Sequence, residues 1–311
     1  MRGSVTIFEK ELSELLTSRR FILVFLMVFL SGVGAVLTAA QSISGQTTAQ
    51  FLQLFTGTGS QFYSYSYFLS VLAPILGIAI GFDSMNRELS SGSMVRLLSN
   101  PVHRDGVVIG KLAAGVAVIS LVIGVVNAVN FGVGMILMGW GPSSADVLRF
   151  AYFTVVTVIY SSVWFSAALL FSTLFRRAAT SALVSLALWI FMTFFIGAFA
   201  AALADVISPL PSFPPPTTGQ EIAYINTAID IARISPVYVY SEVSAAILSP
   251  QVLTLSPVYV YSQGLPAMEL GVSESLTLAL PDISALVAAL SVFSILTFIV
   301  FMRMEIRARW E

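Results

Sequence analysis

Residues 21–82 contain no Asp, Glu, Lys, Arg or His. No water-facing surface can be built from so long an uncharged stretch, since soluble domains draw about a quarter of their residues from the four charged types. Over the whole chain, charged residues are 10% and hydrophobic ones 57%. Lipid is therefore the expected solvent, and the apolar run is the unit to read. Roughly 20 helical residues cross about 30 Å of hydrocarbon. The uncharged stretch holds two such runs, 21–40 and 62–82, separated by a segment rich in Gln, Ser, Thr and Gly. Further runs lie at 112–138, 150–175, 178–204 and 283–302. Backbone groups in lipid must be satisfied within the segment, and the runs are about twice the length of a barrel strand, so each is expected to be a helix. The expected fold class is an all-α integral membrane protein: a six-transmembrane-helix bundle with an N-terminal amphipathic interfacial helix and an extracytoplasmic helical insertion before the last span.

Basic residues orient the bundle. Arg2, Lys10, Arg19 and Arg20 precede the first span; Arg87, Arg96, Arg104 and Lys111 separate the second from the third. Arg176 and Arg177 lie between the fourth and fifth, and Arg303, Arg307 and Arg309 follow the sixth. Only Arg149 and Arg233 fall on the other side. This split predicts a multi-pass protein of the cell (plasma) membrane with both termini cytoplasmic. Run 21–40 has no small-residue cleavage site, so it reads as a retained span rather than a signal peptide. The expected division is 1–20 interfacial helix, 21–204 spans one to five with a cytoplasmic loop at 83–111, 205–281 extracytoplasmic segment, and 282–311 last span and tail.

Three segments outside the spans carry information. Val5, Phe8, Leu12, Leu15 and Leu16 recur at helical spacing with Glu9, Lys10, Ser13 and Glu14 opposite, which predicts a helix lying in the interface. A frayed extension of the first span is the plainer reading. Residues 83–111 hold the densest charge; there Met94 to Leu98 can form a short amphipathic helix that Pro101 stops. The plainer reading is a solvated positive loop. Residues 205–281 begin with a proline-rich stretch that cannot be helical, followed by Thr218 to Glu221 at capping-box spacing. Then SPVYVYS occurs twice, at 235–241 and 256–262. Tyr238, Tyr240, Tyr259 and Tyr261 suit a membrane–water interface in an outer cap of short helices. A disordered loop and a functionless local duplication are the alternatives.

Chemistry is mostly excluded. With no cysteine and one histidine, thiol catalysis and multi-histidine metal centres are absent. A net charge of −1 recruits no nucleic acid. His103, Arg104 and Asp105 spell a kinase triplet without its companions. Residues 106–111 end in Gly-Lys at the wrong spacing for a phosphate-binding loop, so no ATP site or other cofactor is expected in this chain. The runs contain no His, Asp or Glu, so intramembrane proteolysis and ion relays lose their usual carriers. Packing groups are present instead. Ala73, Gly77 and Gly81 are four apart beside Pro74, a ridge that lets helices approach. Asn127 and Asn130 need amide partners in lipid, either across a helix interface or along a substrate path.

The loop at 83–111 resembles the signature region of ATP-binding-cassette (ABC) type 2 exporter permeases. The matching residues are Glu88, Gly92, Ser93, Leu97, Leu98, Pro101, Arg104, Gly110 and Lys111; Ser93 stands where Thr is common. The resemblance implies a permease that forms a translocation path as a homo- or heterodimer with a second permease subunit, surrounded by membrane lipid. It also implies separate ABC-type ATPase subunits that bind the ATP. Carried over, Arg87, Glu88, Met94, Leu97, Leu98 and Arg104 are the ATPase-coupling candidates. The competing reading is a non-transporting anchor or assembly subunit whose outer cap binds an extracytoplasmic partner. A secondary transporter would need buried ionisable residues or an inverted repeat, and neither is evident. Uncharged spans point to an amphipathic or lipid-like cargo.

Overall fold

Lipid demands that a spanning backbone satisfy itself, and every apolar run is helical. The computed structural model describes residues 2–43, 51–56, 64–94, 104–212, 215–248 and 271–304; among these there is no strand. In chain order α1 is Arg2–Leu16, α2 Arg19–Ile43, α3 the single turn Gln53–Thr56, α4 Tyr65–Gly81 and α5 Asn86–Ser90. Next come α6, Arg104–Met138, and α7, Ser144–Leu174. The following span is α8, Ala178–Ile190, a π-helical turn, Phe191–Phe195, and α9, Ile196–Ile207. After it come α10, Thr218–Ala232, and α11, Pro236–Leu248, before α12, Val272–Arg303. Among the described residues, six stretches are long and apolar enough to cross a membrane. The all-α class and the six spans read from the sequence are borne out.

Helix ends differ from the ends of the uncharged runs. α6 starts at Arg104, eight positions before run 112–138, because the charge of Lys111 is neutralised within the fold (below). α7 starts at Ser144, capped by Ser143, whose hydroxyl accepts from Asp146 N at 3.1 Å while Asp146 accepts from Ser143 N at 2.9 Å. α12 starts at Val272, where Glu274 accepts from Gly271 N at 3.0 Å, so Asp282 lies inside a helix that was expected to begin after it. The cap of α10 also sits one residue earlier than expected, with Gln220 accepting from Thr217 N at 2.9 Å.

The bundle is organised around α7, on which α4, α6, α8, α11 and α12 all pack. Small residues make this possible. A Cβ on Gly77 would lie 2.3 Å from Ser161 O, and one on Gly81 2.7 Å from Phe165 O. Ala73, Gly77 and Gly81 are thus the face α4 turns to α7. Pro74 has no N–H, so the carbonyl of Ser70 loses its usual helical donor. Tyr160 of α7 replaces it, its hydroxyl donating to Ser70 O at 2.7 Å, and Ser161 donates to Ala73 O at 2.7 Å. A similar repair serves the π turn, where Ser235 donates to Met192 O at 2.8 Å.

The described parts of two segments expected outside the bundle pack into it. The 41–61 segment was read as polar, yet Phe51, Leu52, Leu54 and Phe55 are buried, and the Phe55 ring lies 4.6 Å from that of Phe150. Four apolar residues within five positions outweigh their polar neighbours. Tyr240, expected at the membrane–water interface, is fully buried: its ring stacks on Tyr160 at 4.1 Å, and its hydroxyl meets that of Thr157 at 2.9 Å. Tyr238 is half-buried, and Tyr259 and Tyr261 lie outside the described residues. Tyr240→Phe, which keeps the stack and deletes the hydroxyl contact, is expected to lower stability in detergent by about 1 kcal/mol, read as a small drop in the thermal midpoint.

Candidate functional site

At the end of the bundle where α1 lies, charges gather inside the protein. Along α1 the buried positions are Ile7 and Glu11, one helical turn apart, with Phe8, Leu12 and Leu15 partly covered. Val5 is exposed, so the buried face is rotated from the one its apolar residues alone suggest. This face packs on α6. Glu11 therefore points at the first turns of α6, where Lys111 waits.

Lys111 is 3% exposed, Glu11 6% and Glu88 7%. The Lys111 ammonium donates to Glu11 Oε1 at 2.7 Å and lies 3.2 Å from Glu88 Oε2. Lys10 donates to Glu88 Oε1 at 2.6 Å and stands 3.3 Å from Glu11. Two lysines and two glutamates thus form a neutral, alternating junction. Such neutralisation is what permits charge away from water. It joins three distant pieces of chain: α1, the short α5 and the start of α6. Burial pushes the Lys10 ammonium down, but the hydrogen bond and charge of Glu88, with Glu11 and Glu14, outweigh that and hold it above the usual lysine value. The α5 end is fastened separately, since Ser172 of α7 accepts from Met85 N at 3.0 Å and Asn86 N at 3.2 Å.

The expected coupling residues take different positions. Arg87 is exposed, its guanidinium 3.3 Å from Glu14 Oε2. Glu88 and Met94 were expected as contacts for a partner, but both side chains are buried within this chain. Leu97 and Leu98 lie outside the described residues. Arg104 turns inward and donates to Met304 O at 3.1 Å, tying the start of α6 to the end of α12. Asn127 bonds across helices: it accepts from the Tyr65 hydroxyl of α4 and donates to Thr154 of α7 at 2.9 Å. Asn130 donates to Val126 O of its own helix at 2.8 Å.

Glu11 went unread because it was counted with neither face of α1. Its signal was its place one turn after Ile7, together with a lysine opening an otherwise apolar helix. Arg149, read as an outer-loop charge, is buried at the opposite end and donates to Ile247 O and Ser275 Oγ, both at 2.9 Å. It joins α7 to the end of α11 and the beginning of α12. Arg233, at the end of α10, pairs with Glu242 at 2.9 Å and so links α10 to α11.

Among the described residues these side chains tie α1, α5 and the start of α6 into one unit. Comparison with curated proteins finds no significant match. The family model described as ABC-2 family transporter protein matches residues 5–306, and the chain belongs to that family.

Proposed function

We propose that the chain is the permease subunit of an ATP-driven exporter in the cell membrane, with both termini cytoplasmic. In this reading it forms the translocation path with a second permease subunit and draws energy from separate ABC-type ATPase subunits. The observation that carries the proposal is the Lys111 junction. A partner pressing on α1 and residues 83–94 would load α6 directly through Lys111, and α4 through the continuous chain. The glycine-lined contact between α4 and α7 is where two packed helices can slide between discrete arrangements, which is how bundles switch. Nucleotide-driven closure would then bias the path between openings. Ala73, Gly77, Gly81 and Asn127 belong to that moving contact. Of the two span asparagines, Asn130 is the one whose amide oxygen has no hydrogen bond to a described residue and so is left to meet cargo when the path opens.

The anchor reading relies on a free outer cap rich in tyrosine. Tyr240 is committed to the bundle interior, which leaves that reading with less surface to work with.

Purification of the tagged chain in mild detergent tests the exporter. The expected eluate contains an ABC-type ATPase and vanadate-sensitive ATP hydrolysis, and the charge reversal Arg87→Glu lowers the amount of ATPase retained. An eluate of folded protein with no such ATPase and no hydrolysis would count against it.

A further inference from the structure

Next to the junction lies a cavity of about 200 Å³, between the α1–α2 turn and the end of α4. Its lining divides by chemistry. Phe21 and Val24 of α2 face Leu76 and Ile80 of α4, an apolar floor running toward the bilayer. Charged groups ring the mouth, and most of them are already engaged. Arg20 pairs with Asp83 and lies 5.2 Å above the Phe82 ring. Arg87 pairs with Glu14, while Glu11 and Glu88 are held by Lys111 and Lys10. One cation is left over. Arg19 lines the cavity and forms no ion pair with any described residue. Ser84 lines the cavity too, and its hydroxyl has no hydrogen bond to a described residue.

A spare guanidinium and a free hydroxyl above an apolar slot match one kind of ligand. We infer that this cavity holds an anionic phospholipid of the leaflet on the α1 side, its phosphate on Arg19 and Ser84 and an acyl chain along Phe21, Val24, Leu76 and Ile80. Guanidinium and phosphate form charge-assisted, bidentate hydrogen bonds, which a carboxylate-lined site without the spare cation would not support. The height also fits, because Arg19 opens the first span and Ser84 follows the apolar part of the second. A lipid seated there would wedge between α2 and α4 beside the Lys111 junction. The inference needs only that these helices span a bilayer, so it stands or falls apart from any exporter activity.

The full chain, purified in detergent and stripped of lipid, is titrated with phosphatidylglycerol, phosphatidylcholine or inorganic phosphate while its thermal midpoint is followed. Phosphatidylglycerol is expected to raise the midpoint saturably and more strongly than phosphatidylcholine. Arg19→Ala should weaken that response about fivefold, the worth of one basic residue at a membrane surface, and Ser84→Ala about twofold. Arg19→Lys should recover only part of it, since an ammonium keeps the charge but not the bidentate contact. The lipid-free midpoint of each variant, matching that of the parent, shows that the fold is intact. Arg177→Ala, an exposed arginine at another helix start, should leave the response unchanged. An equal loss with Arg177→Ala would reduce the effect to a general basic surface and overturn the site. A saturable response to inorganic phosphate alone that needs Arg19 would overturn the lipid as its occupant.

Discussion

Lys111→Met is expected to destabilise the folded protein by about 3–5 kcal/mol, the usual consequence of removing one partner from a buried charge pair. The lysine touches two carboxylates, Glu11 at 2.7 Å and Glu88 at 3.2 Å, and all three side chains are buried. Lys10 alone cannot neutralise both, and it is the more exposed cation. The double variant Glu11→Gln, Lys111→Met removes one charge of each sign and leaves the Lys10–Glu88 pair at 2.6 Å intact. It is expected to recover more than half of the loss. Unfolding followed by tryptophan fluorescence in detergent reads both variants, and the energies of groups in contact should not add. If the double variant simply sums the two single ones, the carboxylate and the lysine are not acting on each other. In a coupled transporter the same lysine substitution should separate ATP hydrolysis from transport, because α1 and α5 would no longer load α6.

The second large effect is expected at Gly77. Its missing Cβ would sit 2.3 Å from Ser161 O and 2.8 Å from Phe165 N. Both neighbours are backbone atoms of α7, so no side chain can swing aside. Gly77→Ala must part α4 from α7, and with them the Ser161–Ala73 and Tyr160–Ser70 bonds that repair the helix around Pro74. A loss of about 3 kcal/mol is expected, the upper part of the range for overpacking. Gly124, on α6, has no atom within 4 Å of its would-be Cβ. Gly124→Ala should therefore be neutral or stabilise by up to about 1 kcal/mol, the ordinary gain from replacing glycine inside a helix. Equal effects at the two glycines would mean that α4 and α7 are not in close contact.

Much of this architecture could be read from residue types. Uncharged runs locate spans because an unpaired charge is expensive in lipid, and the ridge of Ala73, Gly77 and Gly81 announces a close helix contact for the same reason it forms one. What escaped reading is charge that is paired in three dimensions. Lys111 looked like the end of a loop, but Glu11, a hundred positions away in sequence, and Glu88 allow α6 to run past it. Arg149 looked like an outer charge, while the carbonyl of Ile247 and the hydroxyl of Ser275 let it sit inside. Neither partner is visible from local composition. Tyr240 fails in a related way. A tyrosine suits an interface by its own amphipathy, and only the stacked Tyr160 and the hydroxyl of Thr157 make it a core residue. The candidate site was half legible: the segment around Glu88 stood out by its charge, whereas the inward direction of Glu88 depended on α1 folding back over α6.

The central claim is that the face bearing α1, Arg87 and the Lys111 junction lies in the cytoplasm, within reach of an ATPase. The chain has no cysteine, so single substitutions give clean reporters. Arg87→Cys and Ser144→Cys both place a thiol at an exposed position, at opposite ends of the bundle, since α7 begins at Ser144 and its far end holds Met85 and Asn86 beside Arg87. Treated in intact cells with a membrane-impermeant maleimide, Ser144→Cys is expected to label, and Arg87→Cys only after permeabilisation. Labelling of Arg87→Cys in intact cells would put the junction on the outer face and leave an ATP-driven machine without its input.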